Sequence, residues 1–248
     1  MSLIFNAMYL AWSDTRARYS KSILGPFWLT FGNLISILGL SVVWSALLKQ
    51  DMHTFVPTIT IGMIVWQLVS GAITDGATTF IRQAQVIRNV SMPVWFFVVR
   101  SLTRQVINLL HNLVIAIGVI WYFKLPVTSV TLLAIVGLLL VILNLLWMTY
   151  VLGLLGARFR DLEYTITALM PLFFFITPVI FRADKLPLSL KIIWLNPLSY
   201  FIDVVRTPVF GEIPALKTYV VMLSLLAVGT LISYILNHRY SHRLAFWL

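Results

Sequence analysis

Long apolar runs, broken by short polar and proline-bearing stretches, make up almost all of the 248 residues. A membrane-crossing helix needs about 20 mostly apolar residues. Six stretches meet that length and predict six spans, over residues 26–48, 57–79, 94–122, 128–156, 164–181 and 216–236. Pro26, Pro57 and Pro93 mark the openings of the first three. A proline in a first helical turn gives up an N–H that has no intrahelical partner anyway.

Two regions depart from this rhythm. Ahead of the first span, Phe5, Met8, Tyr9, Trp12 and Tyr19 recur near one helical face, with Asn6, Ser13, Arg18 and Lys21 elsewhere. Within residues 1–24 this predicts an amphipathic helix lying in the membrane surface, ended by the Gly25-Pro26 pair. It reads as a topology anchor or as a docking surface for a cytoplasmic partner. Between the fifth and sixth spans, residues 182–215 hold four of the ten prolines and two short apolar pieces, LSLKIIWL and LSYFIDVV. Each piece is too short to span, and they predict two re-entrant helices. The expected fold class is all-α integral membrane, with six transmembrane helices in a single domain over residues 1–248.

Composition agrees. The chain is 60% hydrophobic and 10% charged, whereas soluble domains carry roughly 25% charged residues. A net charge of +10 in a soluble protein would suggest nucleic acid. Here basic residues at cytoplasmic helix ends explain it, and nucleic acid is not an expected partner. With six spans, Arg16, Arg18, Lys21, Arg82, Arg88, Arg100, Arg104, Arg158, Arg160, Arg239 and Arg243 fall on one side, eleven of the eighteen Lys and Arg. Both termini are therefore expected in the cytoplasm. The arginines follow the first apolar stretch rather than precede it, which argues against a cleaved signal peptide. The absence of cysteine excludes disulfides and thiolate metal sites.

The chemistry-bearing residues are few. None of the twelve glycines is followed by Lys, so no phosphate-binding G-x-x-x-x-G-K-[ST] loop exists. His238 and His242 stand four apart without the glutamate of a metalloprotease helix, and no metal is expected. Asn108, His111 and Asn112 lie within the third span, where polar side chains bond a neighbouring helix or face a cavity. Asp75, near the cytoplasmic end of the second span, needs a cationic partner, and Arg100 or Arg104 is in reach. In the 80–93 loop, Phe80, Ile81, Ala84 and Ile87 keep helical spacing, with Gln83, Gln85 and Arg88 between them. Asp203 and Arg206, three apart on a helix, are placed to pair. Trp28, Trp95, Trp121 and Trp194 sit at span ends, where aromatic belts form. Trp66, Trp147, Phe173, Phe174 and Phe175 sit deeper.

Four stretches carry a resemblance: RYSKSILGPFW at 18–28, the 80–93 loop, RDLEYTITALMPLFFFITPVIF at 160–181 and NPLSYFIDVVR at 196–206. In this order and spacing the chain resembles the permease subunits of type-2 ABC exporters, and among them the exporters of polysaccharide. Asp203 departs from the pattern, where Glu is more usual. The resemblance implies that the 80–93 loop couples to an ATPase through Gln83, Gln85, Val86, Ile87 and Arg88, with a second contact at Arg158, Arg160 and Asp161. It implies an outer gate built from Asn196, Pro197, Tyr200, Asp203 and Arg206, and a conduit lined by Trp66, Trp147 and Phe173 to Phe175. Arg16, Arg18, Tyr19 and Lys21 would meet a lipid diphosphate or ordinary anionic lipid.

The implied assembly is two copies of this chain with two ABC ATPase subunits in a bacterial inner membrane, moving a lipid-linked polysaccharide. The expected cargo is O-antigen on polyprenyl diphosphate. The chain would have no cofactor and no enzymatic site of its own, with ATP and Mg bound by the partner subunit. The alternatives within the family are capsule, teichoic-acid or drug and lipid export. Outside it stand a membrane-embedded lipid-modifying enzyme, which the eight scattered acids do not favour, and a channel.

Overall fold

The computed structural model describes the chain except residues 1–2, 21, 24, 26, 50 and 183–192. Ten α-helices and no strands occur among the described residues: α1 Leu3–Arg18, α2 Phe27–Leu48, α3 Met52–Thr78, α4 Ala84–Asn89, α5 Val94–Tyr122, α6 Leu133–Arg158, α7 Leu162–Ile176, α8 Leu198–Val209, α9 Leu216–Tyr240 and α10 Leu244–Trp247.

Five helices are long and apolar enough to cross a membrane: α2, α3, α5, α6 and α9. Among them α3 is central. Of its apolar window 83% is buried, against 11–28% for the others, and it packs on α2, α5, α6, α7 and α8. A helix that is apolar all round belongs in such a position. Its start precedes the expected one. Asp51 caps the helix, its side chain accepting from the His53 N–H, so Pro57 lies inside α3 instead of opening it.

The outer helices bury narrow stripes. Along α2, Thr30, Ile37, Ser41 and Ser45 turn inward, while Phe31, Ile35, Leu38 and Val42 are exposed. Small residues set the closest crossings. A side chain at Gly156 of α6 would land on the Ala77 carbonyl of α3, and one at Gly137 on the Val204 carbonyl of α8. Close backbone approach at small residues is a common way to pack membrane helices. α5 ends in a Schellman motif, with Lys124 N–H donating to Trp121 O and Leu125 N–H to Ile120 O. Lys124 takes the left-handed position, φ 51°.

Three expectations change. The fifth span is shorter than 164–181: α7 has 15 residues, about 22 Å against a hydrocarbon core of about 30 Å. It stops because Thr177 precedes Pro178 and is forced into extended backbone, φ −82° and ψ 138°. Of the two expected re-entrant helices, the second is α8. The first falls largely on residues 183–192, outside the described residues, and its remainder, Ile193–Leu195, is a 3₁₀ turn. The N-terminal helix is present, but Ala7, Ala11 and Thr15 form its buried stripe, and it packs on α5. Phe5, Met8, Tyr9 and Trp12 point outward, as a helix resting on lipid headgroups requires.

Candidate functional site

The end of the bundle that carries α4 and α10 is built around a compact apolar cluster. Ala7 of α1, Phe80, Phe96 and Phe97 at the start of α5, Leu154 of α6 and Leu244 of α10 pack together, with Ile87 of α4 against them. Thus α4 is rooted through Ile87 while Gln85, Val86 and Arg88 on its other faces are exposed. Gln83 sits in the 3₁₀ turn Ile81–Gln83 ahead of it.

Two charged hubs tie this segment to its neighbours. Asp75 accepts from Arg82 Nη1 at 3.0 Å and from Gln105 Nε2 at 2.7 Å, with Arg104 Nη2 at 3.8 Å. Of the two expected partners Arg104 is therefore present, and Arg100 goes elsewhere. Its guanidinium holds Asp14 of α1 bidentately, at 2.8 and 2.9 Å. Its remaining Nη1 donates to Gln83 Oε1 at 3.2 Å. One arginine on α5 thereby joins α1 to the 3₁₀ turn ahead of α4. Bidentate Arg–carboxylate geometry fixes direction as well as distance. Asp14 had no periodic signal to announce it. Arg82 lies beyond the end of α3 in the 3₁₀ turn, so helical spacing gave no signal of its pairing with Asp75.

The second contact stretch is engaged within the chain. The Arg158 guanidinium lies 5.7 Å over the Trp247 ring, and Arg160 donates to the Leu248 carbonyl at 3.3 Å. Asp161 opens α7, its carbonyl accepting from Thr165 N at 3.0 Å. On the surface helix Arg16 and Arg18 are exposed, and Lys21 lies outside the described residues. Arg18 and Tyr19 border a cleft with Asp75, Arg104 and Asn108 of only about 20 Å³, room for one water and not for a diphosphate.

Deeper in the bundle, three amides form a closed cluster. Asn33 of α2 and Gln67 of α3 bond reciprocally. Asn112 of α5 accepts from Asn33 at 2.9 Å and donates to Gln67 at 3.2 Å. The expected helix-to-helix bonding at Asn112 is realised with partners that a search for charged residues passes over. His111 bonds its own helix through Nδ1 and Ile107 O, 2.8 Å.

The expected conduit aromatics divide. Trp66 meets Phe174 edge to face at 5.7 Å, and Phe174 meets Phe175 at 5.4 Å. With Ser70, Gly71 and Thr74 of α3 and Thr167 of α7 they line a groove of about 410 Å³. Phe173 packs into the main core. Trp147 faces α9, where a side chain at Gly229 would strike its ring, and its Nε1 donates to Asn144 Oδ1 at 3.0 Å.

At the opposite end, α8 is tied to the end of α7. Asn196 donates to Thr177 Oγ1 at 2.8 Å and caps Leu198 N–H at 3.0 Å. Pro197 is the N-cap residue of α8. Arg206 donates to the carbonyls of Pro178 and Phe181, at 2.6 and 3.1 Å. Asp203 accepts from Thr207 and from Thr218 of α9, at 2.8 and 2.7 Å. The expected Asp203–Arg206 contact is replaced by bonds from each to neighbouring elements. Tyr200 donates to Trp194 O at 3.0 Å.

Two permease proteins are similar to this chain in sequence. An O-antigen export system permease protein RfbA of Myxococcus xanthus is 26% identical over 172 residues, covering 68% of this chain and 65% of the relative. One of the same name from Klebsiella pneumoniae is 25% identical over 195 residues, 76% of this chain and 74% of that one. The model of the ABC-2 type transporter family matches residues 6–210, from within α1 to the end of α8. By that match, on a bundle of apolar spanning helices, the chain belongs to the ABC-2 type transporter family.

Proposed function

We infer that the chain is the membrane subunit of an ATP-driven exporter that moves a lipid-linked polysaccharide, O-antigen on polyprenyl diphosphate, out of the cytoplasm of a bacterium. The observation that carries this reading is α4. It presents Gln85, Val86 and Arg88 while its root and the Arg100 hub lead to α1 and α5. A short exposed helix anchored in this way transmits a push. The chain has no phosphate-binding loop of its own, so ATP and Mg belong to a separate ABC subunit. Two such subunits would seat on two copies of this chain in the inner membrane, with both termini cytoplasmic. The open face of the Trp66–Phe174–Phe175 groove suits a wall of a conduit closed by a second copy, where aromatic rings meet the C–H faces of sugars. The function in the relatives' names and the absence of clustered acids among the described residues support a glycan exporter over a lipid-modifying enzyme or a channel.

Reconstitution with the cognate ATPase tests this. Wild type should give ATP hydrolysis stimulated by the lipid-linked glycan. Gln85→Ala/Arg88→Ala should keep the fold and lower that stimulation at least ten-fold. A chain that binds no ATPase and conducts or reacts alone would overturn the reading.

A further inference from the structure

A cavity of about 330 Å³ opens beside α8 and the start of α9, within the range of about 300–1,000 Å³ of small-molecule sites. It lies at the end of the molecule away from α4. α9 runs roughly 36 Å from the cavity to the tail segment that packs on α4. The opening role of these residues, holding α7 and α8 in register, accounts for Asn196 and Arg206. It does not account for what surrounds them.

One wall is aromatic. Trp194 and Tyr200 lie 5.2 Å apart, tilted by 54°, and Lys217 Nζ stands 5.9 Å over the Tyr200 ring. Phe210 adds a third ring, covered by the Arg182 guanidinium at 5.2 Å. The floor is polar: Asp203 with Thr207 and Thr218 bonded to its two oxygens. A carboxylate oxygen has two acceptor sites, so one hydroxyl on each leaves capacity for another donor. Across the mouth, Arg182 holds Glu212 by bonds of 2.9 Å to both oxygens. A cavity with aromatic rings on one wall and a carboxylate, hydroxyls and an exposed ammonium around it does not match a lipid tail or a bare anion. It matches a ring with one apolar face and an equatorial rim of hydroxyls.

We propose that this cavity is a saccharide-binding site for a pyranose unit, placed where a glycan leaves the protein. The sugar's C–H face meets the half-buried Trp194 ring, which Tyr200 backs from within, a hydroxyl donates to Asp203, and Lys217 closes over a ring or acidic substituent. This deepens the export reading and rests on it for the source of the sugar. A weak site at the exit holds each emerging unit long enough to bias the chain against sliding back.

Because the chain has no cysteine, one introduced sulfhydryl reports on the cavity. Ala215 lines it; Val127, 72% exposed and outside it, is the control. The measurement is the rate at which a membrane-impermeant maleimide modifies A215C and V127C in nanodiscs. The probe is the delipidated oligosaccharide released by mild acid from the same cells' surface polysaccharide. At millimolar probe the A215C rate should fall at least three-fold and the V127C rate should not change. Adding the exposed Lys217→Ala should remove most of the protection. Unchanged A215C modification, in a preparation whose ATPase still responds to lipid-linked glycan, overturns the site and leaves the export reading standing. Protection without any glycan-stimulated hydrolysis supports the site and overturns export.

Discussion

Amide side chains inside an apolar bundle are costly unless bonded to one another. Asn33, Gln67 and Asn112 meet this by closing a ring of bonds across α2, α3 and α5. Removing Asn112 leaves Asn33 and Gln67 bonded to each other but takes one buried bond from each, while removing all three leaves nothing unsatisfied. Asn112→Leu should therefore lower stability by about 1 kcal/mol, the size of such bonds in membranes. The triple Leu variant at 33, 67 and 112 should recover most of that loss. Detergent-denaturation midpoints of the wild type, the three single Leu variants and the triple variant decide it. If the triple variant loses the sum of the single effects, the amides do not act as one unit.

The elements show how far pattern alone reaches. Spans one, two, three, four and six were readable because length and hydropathy decide them, and α5 matches its expected bounds of 94–122. The buried stripe of α1 was not. The period of Phe5, Met8 and Trp12 announces an outward apolar face, and they are exposed, but nothing in it announces that Ala7, Ala11 and Thr15 pack, where only small side chains let two helix axes approach. The same feature governs α3 and α6. Gly156→Ala puts a methyl on the Ala77 carbonyl, which the backbone must yield to. It should cost about 1–3 kcal/mol and lower the thermal midpoint by on the order of 5 °C. Gly118→Ala, with open space at its site, should leave the midpoint unchanged or raise it slightly. Equal effects at both positions would mean that the crossing is not set by Gly156. At the candidate sites, single residues such as Arg206 and Asn112 were legible, but their partners were not. A backbone carbonyl such as that of Pro178 has no sequence signature.

At the scale of the whole molecule, the question is how movement at α4 reaches the far end. α1, the turn ahead of α4 and α5 meet at Arg100, through Asp14 and Gln83. From there α5 and its neighbour α3 run the depth of the bundle, and α3 touches α7 and α8. A lever needs a joint that holds while its ends move, and a partly buried bidentate pair, with one-fifth and one-third of its side chains exposed, is such a joint. If this pair is the joint, its polarity is dispensable but its complementarity is not. Asp14→Arg places two cations together and should abolish glycan stimulation of the associated ATPase while basal hydrolysis continues. Arg100→Asp should do the same. The doubly reversed protein should regain a substantial part of the stimulation, less than wild type because Gln83 then faces a shorter acidic partner. Recovery in the double variant would locate the joint between α1 and α5. Failure to recover, with both proteins folded and bound to ATPase, would shift the transmitting contact to the Asp75–Arg82 hub, where the parallel reversal would be the decisive variant.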